Sequence, residues 1–155
     1  MDLKIHPWKS KDEADMNTIL IMDEDEAIQM LYADELTEEG YEVVACSNAA
    51  GLMDLIGRKT PDLVVMEAFL RNRDGLELLQ EISHTYEDLP VVLCTTSPGF
   101  KEDLRSLAAR GFVVKSSRLR ELKAVIKDLL EADGVPHAHP PDPMAQVDIP
   151  WNEAW

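Results

Sequence analysis

Short, largely apolar runs recur along the chain, and each is bounded by polar or turn-forming residues. Five such runs are present, at 18–22, 42–45, 63–66, 91–94 and 112–114. Runs of this length, with turn signals such as Pro61 and Asp62 before the third, are typical of strands buried on both faces of a sheet. The pattern therefore predicts five buried strands.

Between these runs, apolar or capping residues occur at positions that predict helices. The first helix carries apolar residues at helical spacing and stops at Gly40, and the second has a capping residue at its start. A third helix is predicted at 76–86. The residues that mark the first, second, fourth and fifth helices are, in turn, Ile28, Leu31, Tyr32 and Leu36; Asn48; Leu104, Leu107 and Ala108; and Ser117 as an N-cap.

Strands and helices alternate throughout this region. Such alternation predicts a parallel sheet with helices on both faces. Because crossovers between parallel strands are right-handed, few topologies remain, and the flavodoxin-like one is the natural expectation. We therefore expect an α/β domain at residues 18–130 with a doubly wound, five-stranded parallel sheet, (βα)5.

The two ends of the chain have a different composition. Residues 1–17 form a polar lead without an apolar core, so no signal peptide is expected there. Residues 131–155 hold five of the nine prolines, five acids and no lysine or arginine, which predicts an extended acidic tail. Its last residues include Ile149, Trp151 and Trp155, which we expect to anchor the tail on this domain or on a partner.

Net charge, the length of the apolar runs and the cysteines limit the expected partners and the expected compartment. The formal net charge is −15, so nucleic acid is not an expected partner. No apolar run approaches the ~18 residues of a membrane span. Cys46 and Cys94 lie in apolar runs and are expected to be buried free thiols, which suits a reducing cytoplasm.

Polar residues follow four of the predicted strands. Asp23 and Glu24 follow the first, Glu67 the third, Thr95 the fourth and Lys115 the fifth. The carboxyl ends of parallel strands meet at one edge of a sheet, which is where open α/β sheets bind ligands. Carboxylates gathered there are the hard oxygen ligands that Mg²⁺ prefers.

This order of residues resembles the receiver domain of bacterial two-component response regulators, over about residues 18–130. The resemblance implies that Glu67 stands at the phosphoacceptor position, where the family has aspartate. It also implies that Thr95, Lys115 and the aromatic Phe112 form the switch. Weak Mg²⁺ binding by Asp23, Glu24 and Glu67 is implied as well, as are a sensor kinase or other signalling protein as partner and a role as a signalling module, not an enzyme. Lys115 is followed by Ser116-Ser117, where the family usually has proline.

The glutamate at position 67 leaves two signalling mechanisms open. An aspartyl phosphate carries about −1.5 to −2 charges and three acceptor oxygens. Glutamate carries one charge on an arm one methylene longer, so it partly imitates that group without phosphorylation. One hypothesis is therefore a phosphorylation-independent adaptor, and the alternative is a conventional phospho-switched receiver. A third possibility is that Glu67 is a drifted acid in an inactive pocket.

An enzyme of another class also uses related residues. Asp23-x-Asp25 after an apolar strand, with Thr95 and Lys115, resembles the haloacid-dehalogenase phosphatases, in which an aspartate at the first strand is the nucleophile. That family needs a further acidic pair beyond its lysine, and Ser116-Ser117-Arg118 follows here. This interpretation is the less favoured one.

Basic residues gather late in the chain. No lysine or arginine occurs between Lys11 and Arg58, whereas residues 101–127 contain eight, counting Lys101 and Lys127 themselves. They include Arg105, Arg118 and Lys123, on or near the predicted fourth helix, fifth strand and fifth helix. In receivers that face is the usual dimer or target surface, so we expect it to receive an acidic partner, the acidic tail or a second copy of the chain.

Overall fold

The computed structural model describes residues 16–96, 98–115 and 119–134. Its strands are β1 (Thr18–Met22), β2 (Glu42–Cys46), β3 (Leu63–Met66), β4 (Val91–Thr95) and β5 (Gly111–Val114). The α-helices are α1 (Glu26–Glu38), α2 (Leu52–Lys59), α3 (Gly75–Thr85) and α4 (Arg120–Gly134). Three 3-10 helices complete the described part: Ala49–Gly51, Pro98–Glu102 and Leu104–Ala108.

All five strands pair in parallel in the order β2-β1-β3-β4-β5. This is the flavodoxin-like sheet that the sequence predicts, so the expected fold class is confirmed. β1, β3 and β4 are buried along their whole length, because helices cover both of their faces. Continuous apolar runs, and not alternating ones, follow from this double coverage.

The sheet separates two apolar cores, and successive residues of β1 enter different ones. Ile19 and Ile21 face the core that holds apolar residues of α1 and α4. Leu20 and Met22 face the core that holds those of α2 and α3. The fold is therefore a three-layer arrangement in which each helix buries one stripe of its surface against the sheet.

Turn chemistry fixes where the helices begin. Asp25 and Asp74 cap α1 and α3, and each carboxylate accepts hydrogen bonds from two backbone N–H groups of the first turn. Gly75 is needed for a close approach, because a Cβ there would lie 2.1 Å from the carbonyl oxygen of Ala68. The loop between β3 and α3 is thereby held tightly against the end of the sheet.

The predicted fourth helix is wrong in its type. The segment forms the two 3-10 helices Pro98–Glu102 and Leu104–Ala108, which we call the 3-10 segment. Asp103 interrupts it, with an extended backbone and a carboxylate that caps the second helix. Leu104 and Leu107, expected to mark a packed helix, are 80% and 77% exposed.

The two cysteines differ in their surroundings. Cys94 is buried, its Sγ lies 3.4 Å from the Tyr32 hydroxyl, and burial raises the pKa of its thiol. Cys46 is only half-buried, which corrects the expectation that both thiols are buried, because β2 is an edge strand. Its Sγ donates to the carbonyl oxygen of Asn48 at 3.1 Å.

Several predicted features fall outside the described residues. They are the lead up to residue 15, the capping Ser117, Arg118, and the tail anchors Ile149, Trp151 and Trp155. Helix α4 ends at Gly134, so the first four residues of the predicted tail are helical. No helix in the described ranges is long and apolar enough to cross a membrane.

Candidate functional site

A pocket of about 520 Å³ opens at the carboxyl edge of the sheet. It lies above the ends of β1 and β3 and is bounded on one side by the residues that follow β4 and β5. The side chains that line it include the predicted site residues Asp23, Glu24, Glu67 and Lys115, together with Asp25, Glu26, Ala27, Phe69, Arg71 and Thr96.

Lys115 is the centre of the charge arrangement. Its Nζ lies 2.6 Å from Asp23 Oδ2 and 2.5 Å from Glu67 Oε2, and its side chain is 13% exposed. Its backbone N–H donates to the Thr95 carbonyl oxygen at 2.8 Å, which fixes the position of the Lys115 backbone at the end of the sheet. Burial by itself lowers the pKa of the Lys115 ammonium, but its hydrogen bonds to Asp23 and Glu67 raise that pKa above its usual value.

Each of the two buried carboxylates also accepts a hydrogen bond from its own loop. Glu67 Oε1 accepts from the backbone N–H of Phe69 at 2.8 Å, and Asp23 Oδ1 accepts from that of Asp25 at 2.9 Å. Both side chains are less than a tenth exposed. Glu67 and Asp23 therefore join the loops after β3 and β1 to one ammonium group.

Glu24 is engaged by a different cation. Its carboxylate accepts from the backbone N–H of Arg71, at 3.1 and 3.3 Å to the two oxygens, and Arg71 Nε lies 3.9 Å away. This contact connects the loop after β1 to the loop after β3. Arg71 thus supplies a second positive charge beside the acids, which the sequence analysis did not assign.

The donor set suits a magnesium ion chemically, since it consists of hard carboxylate oxygens. The ion pairs that these carboxylates make in the structure suit the magnesium ion less well. Within the described ranges, no group of three or more His, Cys, Asp and Glu side chains is arranged to hold a metal. Lys115 takes Asp23 and Glu67, and Arg71 takes Glu24, so a metal has to compete with these cations.

The two other expected switch residues lie at the edges of the pocket. Thr95 is fully buried at the end of β4, and the residue that lines the pocket there is its neighbour Thr96. Phe112 is half-buried on the core that contains α2 and α3, with Lys101 Nζ 5.2 Å from its ring centroid. The sequence analysis assigned the role at this strand end to Thr95 and none to Thr96.

The basic residues expected to form a partner surface lie on two different sides. Lys123 Nζ contacts Glu35 and Glu39 of α1 at 2.6 and 3.5 Å. Arg105 instead holds the second 3-10 helix to the start of α3: its Nη1 lies 2.8 Å from Asp74 Oδ2, and it also pairs with Asp103. We call the contacts of Arg105 with Asp74 and Asp103 the Arg105 clasp.

Comparison with known proteins agrees with this fold and site. Residues 19–127 match the response regulator receiver domain family, and the chain belongs to that family. Its role is therefore that of a receiver domain in two-component signalling. The family assignment gives no support to the haloacid-dehalogenase interpretation.

Two relatives illustrate the match. Over 114 residues the chain is 31% identical to response regulator MprA of Mycobacterium sp. (strain KMS), which covers 72% of this chain and 50% of the relative. The chain thus spans about half the length of the curated relatives it matches. Response regulator protein TrrA from Thermotoga maritima, solved in complex with Mg(2+)-BeF, is 34% identical, with a TM-score of 0.71 over 74% of this chain and 99% of TrrA. TrrA is also known in complex with the histidine kinase ThkA.

Proposed function

We propose that this receiver domain signals through protein–protein contacts without phosphorylation, with Glu67 standing in for the phosphorylated acceptor. The contact of Lys115 with both Glu67 and Asp23 supports this most directly. The glutamate already presents its negative charge to the lysine that the family resemblance assigns to the phosphoryl group. On this proposal the chain is a signalling module and not an enzyme, and it acts in the cytoplasm.

The interaction energy that Glu67 supplies is enough to favour one state of the switch but too small to fix the domain in that state. Shifting a two-state population from 1:99 to 99:1 takes ~5.5 kcal/mol of differential interaction. A hydrogen bond to a charged group contributes ~1.5–3 kcal/mol. The contact between Glu67 and Lys115 therefore favours one arrangement of the switch residues Thr95 and Phe112, and partner binding completes the shift.

Mass spectrometry after incubation with acetyl phosphate and Mg²⁺ tests the proposal. We expect no phosphoryl adduct on the wild-type chain. Glu67→Asp restores an acceptor of the family's length and should become labelled, since a ~1 Å misplacement of a reacting group can cost ~100-fold in rate. Labelling of the wild type as readily as Glu67→Asp would overturn the proposal.

Glu67→Gln tests whether Glu67 imitates the phosphorylated acceptor or is a drifted acid without a signalling role. It keeps the size of the side chain and removes its charge, so it should weaken binding to the cognate partner if the carboxylate matters. Equal partner binding by the wild type, Glu67→Gln and Glu67→Asp would mean that Glu67 is only a drifted acid. The conventional phospho-switch remains the second candidate, because Thr95 and Lys115 occupy the strand ends that such a switch uses.

For the metal, we propose weak Mg²⁺ binding in competition with Lys115. The residues that would hold the ion are Asp23, Glu67 and Glu24, and it would supply positive charge to the pocket. Lys115→Met frees the first two carboxylates and should therefore raise the Mg²⁺ affinity in calorimetry. Lys127→Met, on the exposed side of α4, is the control and should leave the affinity unchanged. If neither the wild type nor Lys115→Met gives any Mg²⁺ heat, the metal proposal fails.

We propose a protein as the partner, either a sensor kinase or another signalling protein, and expect neither nucleic acid nor a membrane. A homodimer through the 3-10 segment, β5 and α4 stays a prediction, with Arg105, Arg118 and Lys123 as its basic surface. Such pairing weakens as salt rises. Partner binding and dimerisation that respond neither to salt nor to charge reversal at Arg118 and Lys123 would count against this surface.

A further inference from the structure

The 3-10 segment leaves an apolar surface uncovered at one edge of the domain. Leu104 and Leu107 are three residues apart, and side chains at i and i+3 eclipse in a 3-10 helix, so the two form one row. Phe69, 75% exposed, extends the surface towards the pocket, with its ring 6.5 Å from that of Phe100 in the same segment. We call Phe69, Leu104 and Leu107 the apolar edge.

The three residues are the most exposed large hydrophobic side chains in the described ranges. Their counterparts on the inner side of the segment are covered: Ser106 is buried and Ala108 packs against the core. Exposed apolar side chains that occur singly need no explanation, but a row beside a further aromatic ring marks an interaction site.

Charged groups of both signs surround the apolar edge. Of the four lysines and arginines at 98–115, Lys115 pairs with carboxylates of the pocket and Arg105 pairs with Asp74 and Asp103. Lys101 and Arg110 are exposed at either end of the 3-10 segment. An occupant of this edge is therefore expected to be apolar, with acids where it meets Lys101 or Arg110.

Residues 147–155 of the same chain have that composition. They contain Ile149, Trp151 and Trp155 together with Asp148 and Glu153, and residues 135–155 have no lysine or arginine. Trp151 and Trp155 are four residues apart and would share one face of a helical turn. Apolar anchors with acids between them match an apolar row with bases at its ends.

The tail is long enough to reach. Trp151 lies 17 positions after Gly134, the end of α4, and extended chain spans at most ~60 Å over that distance. A domain of this size is about 35 Å across. A tethered segment is also present at an effective concentration on the order of millimolar, so even weak contacts keep it bound.

We propose that residues 147–155 dock in cis on the apolar edge, with Ile149, Trp151 and Trp155 against Phe69, Leu104 and Leu107. The docked tail covers an apolar surface that continues, through Phe69, to the rim of the carboxylate pocket. A partner that binds this edge then has to displace the tail.

Tryptophan fluorescence tests the proposal on the full chain, because the three tryptophans are Trp8, Trp151 and Trp155. In a Trp8→Phe background, the emission reports the tail alone. We expect blue-shifted emission that iodide quenches poorly. Leu104→Asp with Leu107→Asp should shift the emission to the red and raise the iodide quenching constant several-fold. The control is Met30→Asp, which changes another exposed apolar residue, 68% exposed, on α1 and should have no effect.

A reciprocal measurement does not depend on those leucine variants folding well. Trp151→Ala with Trp155→Ala should speed hydrogen exchange of the amides of Leu104–Ala108 and leave those of α1 unchanged. Emission and quenching that depend on protein concentration would overturn docking in cis in favour of a second copy. Red, readily quenched emission in the Trp8→Phe chain would show that the tail is undocked.

Discussion

The carboxylate pocket and the 3-10 segment lie next to each other but present different kinds of side chain. In the pocket, three of the five lining acids, Asp23, Glu24 and Glu67, contact Lys115 or Arg71. At the 3-10 segment, Arg105 pairs with Asp74 and Asp103, whereas Leu104 and Leu107 are exposed. The pocket therefore presents charged groups that contact one another, and the 3-10 segment presents apolar surface.

This difference separates the two tasks of the domain. In the pocket, Lys115 contacts both Asp23 and Glu67, as expected if Glu67 supplies the signal. On our proposals, the 3-10 segment holds the surface that a partner contacts. The loop between β3 and α3 joins them, because Glu67 and Phe69 are hydrogen-bonded at one end and Asp74 contacts Arg105 at the other.

Removing the central cation should have the largest effect. Lys115→Met leaves two buried carboxylates without their shared partner, and breaking a buried pair costs about 3–5 kcal/mol. Urea unfolding at neutral pH measures the loss. Lys127→Met removes an equally charged but exposed lysine and should change the free energy of unfolding very little.

Neutralising one of the acids at the same time tests the cause of that loss. Lys115→Met with Glu67→Gln leaves one buried charge in place of two, so part of the lost stability should return. A double variant no more stable than Lys115→Met would contradict the view that charge repulsion in the pocket is responsible.

Closing the space in the joining loop should have the next largest effect. Gly75→Ala places a methyl group against the Ala68 carbonyl, and overpacking of this kind costs about 1–3 kcal/mol. Gly51→Ala is the matched control, since a Cβ there meets nothing within 4 Å and the backbone is in the right-handed region. The control should be neutral or stabilising by up to about 1 kcal/mol, and equal losses in both variants would argue against a role for this close contact.

Breaking the Arg105 clasp should cost less and act locally. Arg105→Gln removes ion pairs that are more than a third exposed, and such pairs contribute little to the free energy of unfolding. We expect faster hydrogen exchange at Leu104–Ala108 and at the first turn of α3, with unchanged exchange in α4. Lys127→Gln serves as the control for loss of one positive charge. Uniform acceleration over the whole domain would indicate global destabilisation instead.

The same clasp should give a small dependence on pH. Its guanidinium lowers the pKa of Asp74, and it lowers the pKa of Asp103 to about 2. A carboxyl with a lowered pKa stabilises the fold above its unfolded pKa of 3.8, and this contribution is lost as the pH falls through the folded pKa. Protection at Leu104–Ala108 should therefore fall between about pH 4 and pH 2, and Arg105→Gln should remove most of that dependence.

The sequence predicted the sheet well because burial on both faces leaves an unbroken apolar run, which few other structures need. It also predicted the meeting of Asp23, Glu67 and Lys115, because parallel strands bring their carboxyl ends together. The 3-10 segment could not be predicted in this way. A spacing of three residues, as in Leu104 and Leu107, fits both an α-helix and a 3-10 helix and does not say which side faces the core.

The contacts between loops could also not be predicted from the sequence. Arg71 reaches Glu24 from 47 positions away, and Arg105 reaches Asp74 from 31. No local pattern encodes such a pairing, since it depends on how two connections lie after the sheet has formed. Hydrophobic patterning predicts which residues are inside, whereas the partners of charged loop residues depend on the assembled tertiary structure.

The unequal surroundings of the two cysteines make the molecule convenient to label. Thiol reagents attack the thiolate, so the buried Cys94, with its raised pKa and its tyrosine neighbour, should react slowly. Cys46 is half-buried at the end of β2, and its carbonyl oxygen accepts from the backbone N–H of Asp23 at 3.0 Å. A fluorophore or spin label added under native conditions should therefore attach mainly at Cys46, one hydrogen bond away from the carboxylates whose arrangement it would report.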